Sequence, residues 1–318
     1  MPRNMQLPLI ALVVILLACF PLIIEKDSTL NLIILIFLYV CLASSWNILG
    51  GYTGQTSLGH AAFFGLGSLA TRLLWIEGFP LFPSLLAGGG VAITLALLIG
   101  IPAFRLRGVY FAIGTLALGQ ILNVTVGNLF PKVAALPVEA LSTYQIAPRY
   151  YLFLVLTLLT VGFTYLLINS RVGLGMMAVR EEEDAAESLG VGALRHKLVA
   201  LVISSFLAGL AGGAFAYYHV SYYYQFPFHP LWSFDTLTMV YIGGQGTIIG
   251  PVVGAVFFVL LRELLVLNVG EYHLFVFGAL FILVVLFLPG GLMEVWEKIQ
   301  KAIARRSKPK DIKSPAIK

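Results

Sequence analysis

The chain has 318 residues, of which 59% are hydrophobic and only 11% charged, with a mean hydropathy of +0.93. A soluble protein of this length carries roughly a quarter charged residues, so a water-soluble globule is excluded. The net charge of +5 is not a nucleic-acid footprint, because its cations gather at Arg105 and Arg107, within 170–197, and in a tail from Lys298 to Lys318.

In chain order, apolar runs occupy 7–24, 28–49, 57–75, 82–101, 108–129, 150–168, 198–218, 236–249, 251–268 and 273–289. Most reach about 18 to 22 residues, enough to cross roughly 30 Å of hydrocarbon as a helix. They are continuous rather than alternating, which argues against barrel strands. The prediction is an all-α integral membrane protein, a polytopic helical bundle of about ten segments. The stretches 57–75 and 236–249, glycine-rich or short, are expected to be re-entrant or broken. Met1–Ala18 has signal-peptide character, and Leu16-Leu17-Ala18-Cys19 loosely resembles a lipoprotein cleavage box. A further apolar run follows about ten residues later, so it reads as a retained first span. Residues 1–296 form one membrane domain in this reading, and 297–318 a basic, disordered tail. Cys19 and Cys41 lie inside apolar runs and read as small buried hydrophobes rather than a disulfide pair.

Most of the 20 lysines and arginines fall on one side if both termini are cytoplasmic; Lys26, Arg72, Lys132, Arg149 and Arg262 are the exceptions. The positive-inside bias therefore predicts cytoplasmic termini and a cytoplasmic 170–197 loop. The opposite face carries Tyr217–Asp235 (YYHVSYYYQFPFHPLWSFD), which has no lysine or arginine. It reads foremost as an interfacial aromatic belt, with a docking surface or pathway mouth as the alternative.

The loop 170–197 (SRVGLGMMAVREEEDAAESLGVGALRHK) is the one densely charged interior segment. Its composition predicts a helix from about Gly175 to Leu189 capped by Gly190, with Glu181, Glu182, Glu183 and Asp184 in its first two turns. Ala178, Ala185, Ala186 and Leu189 form a small apolar strip flanked by charge. Such a knob suits a groove on a soluble partner; a solvated linker between spans is equally compatible.

Asn47–Ala70 combines many glycines with Gln55, Ser57 and His60, unusual for a lipid-facing helix. Polar groups in a bilayer face the bundle or a water-filled path, and Gly50, Gly51 and Gly54 favour a break at membrane depth, as in transport pathways. Met239–Phe258 echoes it: Gly246, Gly250 and Gly254 stand every fourth residue as a close-packing stripe, and Pro251 breaks the backbone. Gly54-Gln55-Thr56 and Gly244-Gln245-Gly246-Thr247 share a short pattern, a weak sign of repetition. Tight packing without pathway contact remains the competing reading. His60 reads as a hydrogen-bonded packing residue, and Glu263 as half of an ion pair with Arg262.

No G-x-x-x-x-G-K-[ST] phosphate loop, H-E-x-x-H motif or paired-cysteine site is present, so no nucleotide, metal or other cofactor is expected. Catalytic side chains do not cluster, and the chain does not read as an enzyme.

Four stretches together resemble the permease subunits of branched-chain amino acid ABC importers, the subtype with the longer N-terminal region: GYTGQTSLGHAAFFGLGSLA (51–70), LRGVYFAIGTLALGQIL (106–122), SRVGLGMMAVREEEDAAESLGV (170–191) and MVYIGGQGTIIGPVVGA (239–255). The resemblance covers roughly residues 30 to 293. It implies a bacterial inner-membrane subunit paired with a second homologous permease, two cytoplasmic ATPases and a periplasmic substrate-binding protein. Met176, Arg180, Glu181, Glu182, Asp184, Ala186, Glu187 and Gly190 would belong to an ATPase-coupling helix. Gly54, Gln55, Ser57, Gly59, His60, Gly244, Gln245, Gly246, Gly250 and Pro251 would line or gate the translocation route by alternating access. The stretch 131–145 (PKVAALPVEALSTYQ) is short and lacks the family's T-G-G-like turn, which leaves branched-chain amino acids and urea or short-chain amides both open. An ion-gradient carrier is a further alternative, but no chain of buried carboxylates supports it.

Overall fold

The computed structural model describes residues 3–24, 26–136, 141, 144–287 and 290–306. In order the helices are α1 (Arg3–Ile23), α2 (Asp27–Thr53), α3 (His60–Ile76), α4 (Leu81–Ala103), α5 (Val109–Leu129), α6 (Ile146–Ile168), α7 (Arg171–Glu181), α8 (Glu183–Ser188), α9 (Ala193–Tyr218), α10 (Leu231–Gly243), α11 (Gly250–Val269), α12 (His273–Phe287) and α13 (Gly291–Arg306). Six of these, α2, α4, α5, α6, α9 and α11, are long and apolar enough to cross a membrane among the described residues. Helix α10, with 13 residues, spans about 20 Å and cannot cross alone. The expected breaks lie at 54–59, between α2 and α3, and at 244–249, between α10 and α11.

Helix α2 is the axis of the bundle. It is apolar on every side, the mark of a helix enclosed by protein, and from Phe37 to Thr53 every residue is buried. Around it pack α6, α9, α10 and α11, with α7 against its last turns. Glycines bring α3 and α9 together: a methyl on Gly67 would overlap Gly209 of α9, and one on Gly212 would overlap the Phe64 carbonyl of α3. Outer helices show lipid-like faces, with Leu98, Ile113, Ile121 and Leu159 all exposed. Helix α1 leans on α6 where Pro21, lacking an N–H, leaves the Leu17 carbonyl free; Tyr150 Oη donates to it at 2.8 Å.

Alternating helix directions gather the loops at two ends. A basic end holds α7, α8, α13, Arg107 and the 244–249 turn. The other end holds the aromatic segment, and Arg72 organises it. Its side chain is fully buried; Nη1 donates to the Ala216 (2.8 Å) and His219 (2.9 Å) carbonyls, and Nη2 to those of Val220 (2.6 Å) and Ala134. The guanidinium also lies against the Trp75 and Tyr222 rings, while Arg149 sits between Tyr144 and Tyr217. Residues 133–136 pair with 220–223 through Ala134 N–H to Tyr222 O (2.7 Å) and Leu136 N–H to Val220 O (3.1 Å). The aromatic segment is therefore not simply a belt: Tyr222, Phe228 and Trp232 are buried in the body, whereas Tyr223 and Phe226 remain exposed.

Replacing Arg72 with methionine orphans four carbonyls at once. Each unsatisfied buried polar group costs about 1–3 kcal/mol, so the detergent-solubilised variant is expected to unfold several degrees below wild type, with lysine restoring only part of the loss. An unchanged unfolding temperature would show that the carbonyls find other partners.

Two expectations for the basic end change. The single helix predicted over 175–189 is two helices, because Glu182 adopts extended backbone (φ −158°, ψ 112°) and interrupts it. The start of the predicted tail, 297–306, is helical within α13; 307–318 lies outside the described residues.

Candidate functional site

The two glycine-rich breaks meet. Gly54, left-handed at φ 71°, ends α2, and Gly244 (φ 129°) ends α10. Asn47 Nδ2 donates to the Thr247 carbonyl (2.8 Å) and its Oδ1 accepts the Gly246 N–H (2.9 Å), while Gln245 Nε2 donates to the Gly50 carbonyl (2.8 Å). Arg180 of α7 reaches the same junction, with Nη1 donating to the Gly51 carbonyl at 2.7 Å. A methyl on Gly246 would strike that guanidinium, and one on Gly51 would strike Asn47. The charged helix pair, the last turns of α2 and the 244–249 turn thus form one hydrogen-bonded unit. Asn47, which ties it together, was not among the residues singled out from sequence; an asparagine deep in an apolar helix was the available signal.

The remaining pathway residues divide. Ser57 and Gly59 pack tightly: the Ser57 carbonyl accepts the Trp46 indole N–H (2.7 Å), and Gly59 lies against Thr115. His60 is buried with Nε2 2.8 Å from Ser45 Oγ. Gln55 makes a local bond to the Thr53 carbonyl (3.3 Å). Pro251 does not break a helix; it sits in the first turn of α11, where its missing N–H costs nothing. Gly250 and Gly254 pack α11 onto α10, whereas Gly246 belongs to the turn, so the predicted stripe is split.

On the charged pair, Met176 and Ala186 face the body and are buried. Ala186 joins Val179 and Ala193 in a small apolar cluster with Ala178 against it, so two alanines of the predicted strip anchor the unit. Leu189 instead protrudes, 85% exposed. Glu181, Glu182, Asp184 and Glu187 are exposed. Glu183 pairs at 2.5 Å with the buried Lys197 of α9, fixing α8. Gly190 (φ 85°) closes α8, with Val191 N–H reaching the Ala186 carbonyl (3.0 Å) and Gly190 N–H that of Glu187 (2.9 Å).

A cavity of about 660 Å³ lies toward the aromatic end between α2, the end of α9, α10 and α11. None of the pathway residues predicted from sequence lines it. Its charged groups are Asp235, Arg262 and Glu263. Arg262 pairs with Asp235 (3.4 Å) rather than Glu263, since adjacent residues on a helix point about 100° apart and cannot share a face. Burial and the Arg72 charge push His219, at the cavity wall, down to about 4. No cluster of metal-ligating side chains occurs among the described residues.

A polytopic helical bundle with unwound backbone inside and a charged helix pair at one end defines a membrane transport component. Residues 28–285 match the family described as branched-chain amino acid transport system / permease component, and the chain belongs to that family. It is 29% identical to the high-affinity branched-chain amino acid transport system permease protein LivM of Escherichia coli K12 and 30% identical to that of Salmonella typhimurium, covering 91% of this chain and 75% of each relative. A probable branched-chain amino acid transport permease protein LivM of Methanocaldococcus jannaschii is 24% identical over 40% of this chain and 41% of its own length. No solved structure matches.

Proposed function

We propose that this chain is one of two homologous permease subunits of an ATP-driven importer, carrying branched-chain amino acids inward across the bacterial inner membrane. A periplasmic binding protein delivers substrate at the aromatic end. Two ATPases dock at the basic end, which is cytoplasmic together with both termini. ATP-driven closure of the ATPases moves α7 and α8, and the spans alternate between outward- and inward-facing states.

The observation that carries this reading is the Arg180–Gly51 hydrogen bond. It links an exposed acidic helix pair to the last turn of the central helix, next to the 54–59 break. A push on α7 reaches the bundle axis through this guanidinium and through the packing of Met176 against the body.

Proteoliposomes holding this chain with its partner subunits are expected to accumulate leucine, isoleucine and valine only when ATP and the binding protein are supplied. Cysteine at the protruding Leu189 is expected to crosslink to the ATPase. Uptake that persists without any ATPase subunit overturns the mechanism, and uptake of urea in place of leucine overturns the substrate.

A further inference from the structure

The cavity between α2, α10 and α11 contains an incompletely used ion pair. Asp235 Oδ2 accepts from Tyr39 Oη (3.1 Å) and from Arg262 Nη1 (3.4 Å), and Nη1 also reaches Tyr39 Oη at 3.3 Å. The contact is single and long, not the bidentate fork that arginine and carboxylate prefer. Arg262 Nε and Nη2 make no hydrogen bond among the described residues, and the Arg262 side chain is 40% exposed against 21% for Asp235. Charges placed within a membrane bundle are costly and typically mark a substrate path. Leu35, Leu38, Trp232 and Val259 give the wall an aliphatic and aromatic side, and Ser28, Asn31 and Glu263 add polar groups to the lining.

We propose that this cavity is a transit site for a zwitterionic aliphatic α-amino acid. The free edge of the Arg262 guanidinium takes the α-carboxylate, Asp235 takes the α-ammonium, and Tyr39 holds the two charges apart by bonding both. The aliphatic side chain lies on the Leu35, Leu38 and Val259 wall. The two ligand charges then replace a long single contact with complementary pairs, while the apolar wall rewards a branched side chain. Such a cavity also falls within the 300–1,000 Å³ or so usual for small-molecule sites. Its neutral neighbour His219 adds no competing charge at neutral pH.

The site rests on the transport reading above, and the test separates the two. Equilibrium binding of radiolabelled L-leucine is measured on the purified full chain, with whatever subunits copurify and without the soluble binding protein. Isopentylamine (no carboxylate) and 4-methylpentanoate (no ammonium) serve as competitors. Leucine is expected to bind saturably in the millimolar range, with each analogue at least about tenfold weaker. Arg262→Gln should weaken leucine about tenfold and leave isopentylamine unchanged; Asp235→Asn should weaken leucine and leave 4-methylpentanoate unchanged. Leu35→Trp, which fills the cavity and touches neither charge, should abolish leucine binding and decides the case in which a charge variant does not fold. Wild-type leucine binding in Leu35→Trp, equal binding of the three ligands, or no saturable leucine binding overturns the site, even if ATP-dependent uptake is intact. Intact leucine binding without ATP-dependent uptake overturns the importer mechanism and leaves the site standing.

Discussion

Converting Glu182 and Asp184 to lysine together is expected to reduce ATP-driven uptake to background and abolish ATPase stimulation, while membrane insertion and detergent stability stay at wild-type levels. Both side chains are exposed. The Asp184 side chain makes one contact among the described residues, 3.8 Å to Arg107, with both side chains more than 70% exposed; an ion pair so solvated adds little to stability. Glu182 contributes no side-chain bond among the described residues, and its extended backbone suits lysine as well as glutamate. The fold therefore has little to lose. A partner reading this face has much to lose, because reversing two charges at an interface turns attraction into repulsion worth several kcal/mol. The neighbouring Glu183→Lys is the informative contrast. It sets two ammonium groups together at the Lys197 contact, where the lysine is buried, and should cost stability of about 3 kcal/mol or more. Unchanged uptake by the Glu182/Asp184 variant in proteoliposomes would falsify the assignment of α7 and α8 as the coupling element.

The membrane architecture was legible because hydropathy works on long runs, and a helix such as α9 announces itself by length and apolarity alone. The break at Gly54 was also readable, from glycines interleaved with Gln55, Ser57 and His60, whereas the second break falls at Gly244–Thr247 rather than at Pro251. That the two would bond to each other was not readable. Asn47 and Gly246 are 199 residues apart in sequence, and only the parallel run of α10 beside α2 brings the ends of the two helices together. The charged loop was misread in its middle, because composition favours helix at Glu182 while the packing of Met176 on one side and Ala186 on the other requires a bend. The cavity was missed for a related reason. Asp235 closes an aromatic segment that looked interfacial, and Arg262 stands beside a glutamate that looked like its partner. Helix rotation, invisible to adjacency, assigned it to another helix.

Replacing Gly212 with valine is expected to remove the folded protein almost entirely, leaving little monodisperse material after detergent extraction. In a bilayer the helices gain nothing from burying apolar surface away from lipid, so association depends on close packing. The α3–α9 contact is close because both helices present glycines: Gly67 meets Gly209, and Gly212 meets the Phe64 carbonyl and the Ser68 amide. These obstacles are backbone atoms, so no rotamer change can make room, and the helices must separate along their length. Separation also pulls α3 from the loops that Arg72 holds and shifts His60 from Ser45, so one added side chain disturbs both ends of the bundle. Gly90, with open space around its Cβ position, is the matched control: alanine there should leave yield unchanged and slightly favour the helix. Equal yields of the Gly212→Val and Gly90→Ala proteins would mean that α3 and α9 are not in contact as described.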